Sequence, residues 1–195
     1  MEVKAKKSLG QNFLKDDSIL DAIINVSEVA PGDKVLEIGP GTGLLTEKLA
    51  RAGAKVLAIE LDHQLVERLN AHFIESDSIS ILEGNILDIH LEELLAHVEY
   101  EHQKYKVVAN IPYYITAPII RSLLSLERQP TSLTLMVQNE VADRLAAPPG
   151  NMSLLSVMAQ YYAQVEKKFF VPRTAFDPVP AVDSAVIQLT PQYSF

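Results

Sequence analysis

The stretch that most constrains the fold is Val35-Leu-Glu-Ile-Gly-Pro-Gly-Thr-Gly43. Apolar residues run up to Gly39, and glycines then stand at positions 39, 41 and 43. A buried strand that breaks into such a loop lets backbone approach a ligand with no Cβ in the way. A helix is predicted next, with Leu45 and Leu49 on one face and Gly53 placed to end it. Strand, glycine loop and helix together form a nucleotide cradle, in which helix N–H groups face the ligand. The G-x-G-x-G spacing departs from the G-x-G-x-x-G of dinucleotide sites. Glu37 in the strand and Pro40 in the loop also depart from a phosphate cradle, which tolerates few carboxylates. One βαβ step on, Lys55-Val-Leu-Ala-Ile-Glu60 ends in a carboxylate where a ribose would lie. Acid near both strand ends suits a cationic cofactor without phosphate, of which S-adenosylmethionine is the common example. The competing reading is an ordinary strand–helix turn with a surface glutamate.

The rest of the chain continues the alternation. Asp16 or Asp17 is placed to cap a helix with Ile19, Leu20, Ile23 and Ile24 on one face, and Pro31-Gly-Asp33 turns it into the first strand. Asp62 caps a helix striped by Leu65, Leu69 and Phe73, and 78–82 reads as a short strand. Residues 106–110 form a fourth strand. Thr116 is expected to cap the next helix, with Pro118 in its first turn, where proline is tolerated. Residues 133–137 give a fifth strand, 140–147 a short helix and 154–162 another. Two last strands, 165–170 and 184–189, are joined by a proline-punctuated loop over 171–180. The pattern predicts one three-layer α/β domain.

The chain has 195 residues, room for one large domain, and 48% hydrophobic content supports a full core. There is no cysteine, which removes disulfides and thiolate metal sites and agrees with a reducing compartment. The N-terminal stretch lacks the apolar run of a signal peptide, and no segment approaches the ~20 apolar residues of a membrane span. A cytoplasmic protein without a membrane partner is expected.

The formal charge of −8 argues at face value against a nucleic-acid partner. Its distribution softens this. Residues 70–103 hold eight acids and no Lys or Arg, so the remainder is charge-balanced, and from Lys104 onward eight bases outnumber six acids. Four of the five histidines, His72, His90, His97 and His102, fall in the acidic stretch. No pair has the i, i+4 spacing of a helical zinc site, so no metal is expected and a solvated face is the simpler reading.

Asn110-Ile-Pro-Tyr-Tyr114 stands at the carboxyl end of a strand, where open α/β sheets place their ligands. Methylation of an exocyclic base amine calls for such a turn. The amine lone pair is delocalised into the ring and is a poor nucleophile until that conjugation weakens. Acceptors on its N–H bonds, from an Asn side chain and a backbone carbonyl, favour the tetrahedral amine and aim its lone pair. Proline stiffens the turn, and an aromatic ring stacks on the extruded base. The bland alternative is a polar strand end with two core tyrosines.

With these residues in view, the chain resembles the ribosomal small-subunit adenine dimethyltransferase (KsgA) family. The likeness lies in Ser8-Leu-Gly-Gln-Asn-Phe-Leu14, Glu37-Ile-Gly-Pro-Gly-Thr-Gly43, Glu60, Asn110-Ile-Pro-Tyr-Tyr-Ile-Thr116 and Phe176-Asp-Pro-Val-Pro-Ala-Val-Asp-Ser-Ala-Val186, in the family's order. The resemblance implies a Rossmann-like class I methyltransferase fold: a seven-stranded sheet, its last strand antiparallel, with helices on both faces. It implies an enzyme that uses S-adenosylmethionine to dimethylate N6 of two adjacent adenines near the 3′ end of 16S rRNA. The expected partner is 16S rRNA in the small ribosomal subunit, the expected setting subunit biogenesis in the cytoplasm, and the expected state a monomer.

Carried over residue by residue, Asn12 and Leu14 would touch the cofactor from a basic leader spanning residues 1–15. Gly39 would back its amino-acid part, Glu60 its ribose and Asn85 its adenine. Asn110 would hold the target amine at the cofactor's edge, Tyr113 would stack on the base and Phe176 would close its other face. An apolar plug is the alternative for Phe176. Many family members carry Asp where Asn85 stands, so a neutral acceptor replaces a charged one. The family continues with a small helical domain that residues 1–195 do not contain. The close alternative is the erythromycin-resistance family, which modifies 23S rRNA. A non-catalytic RNA- or DNA-binding assembly factor is a second, and the intact Asn110-Ile-Pro-Tyr113 weighs against it.

Overall fold

A computed structural model describes residues 5–6, 9–97 and 104–192. Ser8 and His102, named above, lie outside them, as do parts of the leader and of the acidic stretch and the His97 side chain. The strands are β1 (Phe13–Leu14), β2 (Lys34–Ile38), β3 (Lys55–Glu60), β4 (Ile79–Glu83), β5 (Tyr105–Asn110), β6 (Ser132–Gln138), β7 (Ala163–Val171), β8 (Phe176–Asp177) and β9 (Ser184–Pro191). The helices are α1 (Asp17–Ser27), α2 (Leu44–Arg51), α3 (His63–His72), α4 (Leu91–His97), α5 (Thr116–Leu124), α6 (Asn139–Leu145) and α7 (Leu154–Tyr162).

Seven strands form one sheet in the order β4-β3-β2-β5-β6-β9-β7. The pairs from β4 to β6 are parallel, and β9 runs antiparallel between β6 and β7. The class I arrangement expected from the sequence is therefore present, last strand included. Strand residues alternate between two cores. Leu36, Ile38, Leu57, Ile59 and Val107 pack with residues of α4 to α7 on one face. Val35, Val56, Ala58 and Val108 pack with Leu20 and Ile23 of α1 and Leu45 and Leu49 of α2 on the other. Burial on both sides is why the strands read as near-continuous apolar runs.

This order also locates the site. The chain winds outward from β2 through β3 to β4, then returns to lay β5 and β6 on the opposite side of β2. The winding reverses between β2 and β5, and ligands of such sheets bind in the crevice beyond the strand ends at that switch point. Gly39 leaves the end of β2, and Asn110 is the last residue of β5.

Local signals act largely as their chemistry predicts. The Asp16 carboxylate accepts from the N–H groups of Ser18 and Ile19, and that of Asp62 from Gln64 N–H, so both are N-caps. Gly53 takes φ 91° just past α2, and a Cβ there would meet Pro31 at 2.8 Å. Thr116 is a correction. It opens α5 from inside, and its hydroxyl donates back to the Tyr113 carbonyl at 3.2 Å instead of capping. The helix α4 was not expected in the acidic stretch; Leu91 and Leu95, four apart, bury against the core. The loop over 171–180 contains β8, which pairs antiparallel with β1.

Candidate active site

A cavity of about 1210 Å³, counting its open mouth, lies at the switch point. All eight residues singled out from the sequence line it: Asn12, Leu14, Gly39, Glu60, Asn85, Asn110, Tyr113 and Phe176. They come from the leader, the ends of four strands and the loop before β9, so the fold brings together residues up to 164 positions apart.

The floor is the glycine loop. Gly39 lies beside the Asn110 carbonyl and Pro112 and adopts φ 67°, a left-handed backbone that favours glycine where the loop turns away from the strand. Gly43 serves packing instead. A Cβ there would meet Leu69 at 2.7 Å and Phe73 at 3.1 Å, so it sets how closely α2 and α3 approach. Gly41 N–H donates to Glu60 Oε2 at 3.1 Å, and Asp62 N–H donates to Glu60 Oε1 at 2.9 Å. These bonds aim the Glu60 carboxyl into the crevice. Burial pushes its pKa up, while the hydrogen bonds from Asp62 and Gly41 oppose the rise.

The leader crosses the opening and is fastened at both ends. Phe13 and Leu14 pair with Asp177 and Phe176, and Lys15 N–H donates to the Ala175 carbonyl at 3.0 Å. Lys6 Nζ and Gln11 Nε2 reach the two oxygens of Asp62 at 2.6 and 2.9 Å. Burial alone would raise the Asp62 pKa, but hydrogen bonds from Lys6, Gln11 and Gln64 outweigh it and hold the carboxylate below its ordinary value. One residue thus caps α3 and anchors the leader.

The Asn110 turn closes the other side. Asn110 Nδ2 donates to the Asn12 carbonyl at 3.3 Å, which fixes the amide with its nitrogen toward the leader. Its Oδ1 accepts from nothing among the described residues. The Tyr113 hydroxyl bonds the Ser184 hydroxyl at 2.7 Å, tying the turn to the start of β9. Burial raises the Tyr113 pKa, with the Ser184 bond opposing, so the ring is a neutral face and not a base. Tyr114, adjacent, is 60% exposed and packs over Gly10.

Two expected residues carry constraints the sequence did not reveal. Phe176 is 1% exposed and packed in the α1–α2 core opposite Leu14, so it is an apolar plug that also forms a cavity wall. Asn85 spends its side chain locally, donating to Asp88 at 2.8 Å and accepting from Leu87 N–H at 3.2 Å. The remaining lone pair on Oδ1 is what it has for a guest. Glu37, read in the sequence as an acid near the loop that suits a cationic cofactor, also lines the cavity; it is 1% exposed and its Oε2 has no partner among the described residues. A carboxylate inside an otherwise apolar strand was the signal for it. An orphaned buried acid beside a glycine floor fits a guest that brings positive charge.

A seven-stranded sheet of this order, with a glycine loop after the first parallel strand and an acid ending the next, defines a class I methyltransferase fold. A family model described as ribosomal RNA adenine dimethylase matches residues 2–194. The chain belongs to that family. It is 44% identical over 189 residues to the ribosomal RNA small subunit methyltransferase A of Leuconostoc citreum, covering 96% of this chain and 64% of that one. Among solved structures, a dimethyladenosine transferase from Plasmodium falciparum aligns at 32% identity with a TM-score of 0.80, over 92% of this chain and 63% of that one. The 23S rRNA methyltransferase ErmE aligns at 30% identity with a TM-score of 0.81, over 93% and 70%. The chain therefore spans a little under two thirds of the length of the first curated relatives it matches.

Proposed function

We propose that this chain is the methyltransferase domain of an S-adenosylmethionine-dependent rRNA adenine-N6 dimethyltransferase, acting on two adjacent adenines near the 3′ end of 16S rRNA in the small ribosomal subunit. The observation that carries the reading is the Asn110 turn, held across a glycine-floored crevice from Glu60 with its side-chain oxygen uncommitted. Residues 1–195 form one catalytic unit, and the leader belongs to the cofactor site.

When bound, the cofactor would supply a methyl group on a sulfonium, transferred as a cation equivalent while the electron pair of the broken S–C bond stays on sulfur as a neutral thioether. Glu60 accepts the ribose hydroxyls, Gly39 backs the amino-acid part, Asn85 accepts from the adenine amine, and Asn12 and Leu14 cover the guest from the leader. Asn110 Oδ1 and a carbonyl of the turn accept from the N6 amine of the target, directing its lone pair toward the crevice. Tyr113 stacks on the extruded base, and Phe176 backs the opposite wall. As the N–C bond forms, the nitrogen becomes cationic and acidic, and its proton passes to solvent without a strong base. Exchange of the second N–H for methyl needs one acceptor fewer, which a single amide oxygen tolerates.

The ErmE likeness favours a second reading in which the target lies in 23S rRNA. The curated relatives named small subunit methyltransferase A, at 44–45% identity in three of the first cases, favour the small subunit. Labelled S-adenosylmethionine, incubated with under-methylated small and large subunits, separates them. Label in 16S rRNA is expected; label in 23S rRNA would replace the proposal with the second reading.

A further inference from the structure

Glu37 occupies a setting in which burial outweighs the one hydroxyl, that of Thr46, that helps hold a carboxylate's charge. It is buried in the wall of the cavity, and its Oε2 has no hydrogen-bond partner. Its register neighbours are Ala58 on β3 and Val108 on β5, and α2 presents the uncharged Thr46. The charged group set against it is a second acid, Glu60. The leader's Lys6 is engaged with Asp62. Burial outweighs the Thr46 hydroxyl on α2, and with no counter-charge set against it among the described residues the buried acid keeps its proton.

We propose that Glu37 stands as a neutral acid in the free cavity and releases its proton to solvent when a cationic group of the guest settles beside it. This rests on the reading of the cavity as an S-adenosylmethionine site. The step is a heterolytic O–H cleavage: the proton passes to buffer, the electron pair stays on the carboxylate, and no bond to the ligand forms. Burial, with the Glu60 charge adding to it, pushes the Glu37 pKa up to about 8, so the acid form prevails at neutral pH. Ionisation then gives an acid-walled cavity one matched charge for one incoming charge. A neutral guest of the same shape gains nothing from it, so the device selects cationic ligands and ties their affinity to pH.

Calorimetric titration of the chain with S-adenosylmethionine, in buffers of different ionisation enthalpy, reads the proton directly. Release of close to one proton per site is expected at about pH 7, falling away toward about pH 9 as Glu37 ionises in the free protein. Adenosine, which carries no cation, should release none. S-adenosylhomocysteine shares the ammonium but lacks the sulfonium. Release with it assigns the effect to the ammonium, and release with S-adenosylmethionine alone assigns it to the sulfonium; both support the proposal. Glu37→Gln should abolish the release and Glu60→Gln should retain it, measured at higher ligand concentration. The reverse pattern gives the proton to Glu60 and overturns the proposal, as does binding without release or equal release with adenosine. If Glu37→Gln does not fold, the pH and adenosine comparisons on the unaltered chain decide. No binding of any of the three probes would instead refute the cofactor reading, and the proposal with it.

Discussion

At the scale of single residues, the site is a set of polar atoms whose partners are accounted for, with a few left over for a guest. Glu60 is held by two backbone N–H groups yet keeps lone pairs toward the cavity. Glu60→Gln preserves shape and removes the charge. Charge-assisted hydrogen bonds are worth about 1.5–3 kcal/mol, so S-adenosylmethionine binding should weaken roughly ten- to a hundred-fold. Unchanged affinity by calorimetry would remove Glu60 from the site. The places of Glu60 and Asn110 at the crevice were legible in the sequence because each closes a strand, and strand ends of such sheets face the crevice. The local commitments of Asn85 and the burial of Phe176 were not, since both depend on a neighbour's position in space.

At the scale of elements, the strap formed by the leader is the main feature that local pattern could not supply. Two-residue strands such as β1 and β8 carry no periodicity to read, and their pairing joins residues 162 and 164 positions apart, Leu14 with Phe176 and Phe13 with Asp177. The helices and sheet strands, by contrast, were largely legible, because the helices repeat an apolar stripe, α1 and α3 carry an aspartate N-cap, and the strands are near-continuous apolar runs. Helix α4 escaped because its two buried leucines sit among glutamates. The strap makes its own prediction. Asp62→Asn keeps a competent N-cap for α3 but loses the charge that holds Lys6. Helix content and melting should change little, while the leader becomes a faster proteolytic target and cofactor affinity drops several-fold. Equal protease resistance in the two proteins would show that Asp62 does not anchor the leader.

At the scale of the whole molecule, a binding crevice lined by buried acids opposes stability, and pH exposes the conflict. The Glu37 carboxyl, ordinarily near 4.5, is raised to about 8 in the folded chain. Between those values the folded state holds a proton that the unfolded chain gives up, so stability declines as pH rises through this window and levels above it. The loss is on the order of 5 kcal/mol at its fullest. Asp33 and Asp62, held below their ordinary values, act in the opposite sense and withdraw stability only as pH falls into the acid range. Melts of the ligand-free chain from about pH 5 to about pH 9 should fall steeply beside those of Glu37→Gln; parallel curves would contradict the burial argument.

The same molecule is an enzyme, and not an occupant of RNA alone, if the turn at the end of β5 performs the transfer. Asn110→Ala removes the uncommitted side-chain oxygen and leaves the glycine loop and Glu60 in place. The decisive measurement is single-turnover methylation of under-methylated small subunits by this variant, read beside its cofactor titration. Loss of one preorganised polar group at a reacting centre is worth about 10²-fold or more in rate. Both methyl transfers should slow by that much, with cofactor affinity nearly unchanged and RNA affinity, carried mainly by phosphate contacts, less affected. Near-normal dimethylation by Asn110→Ala would contradict the assignment of catalysis to this turn.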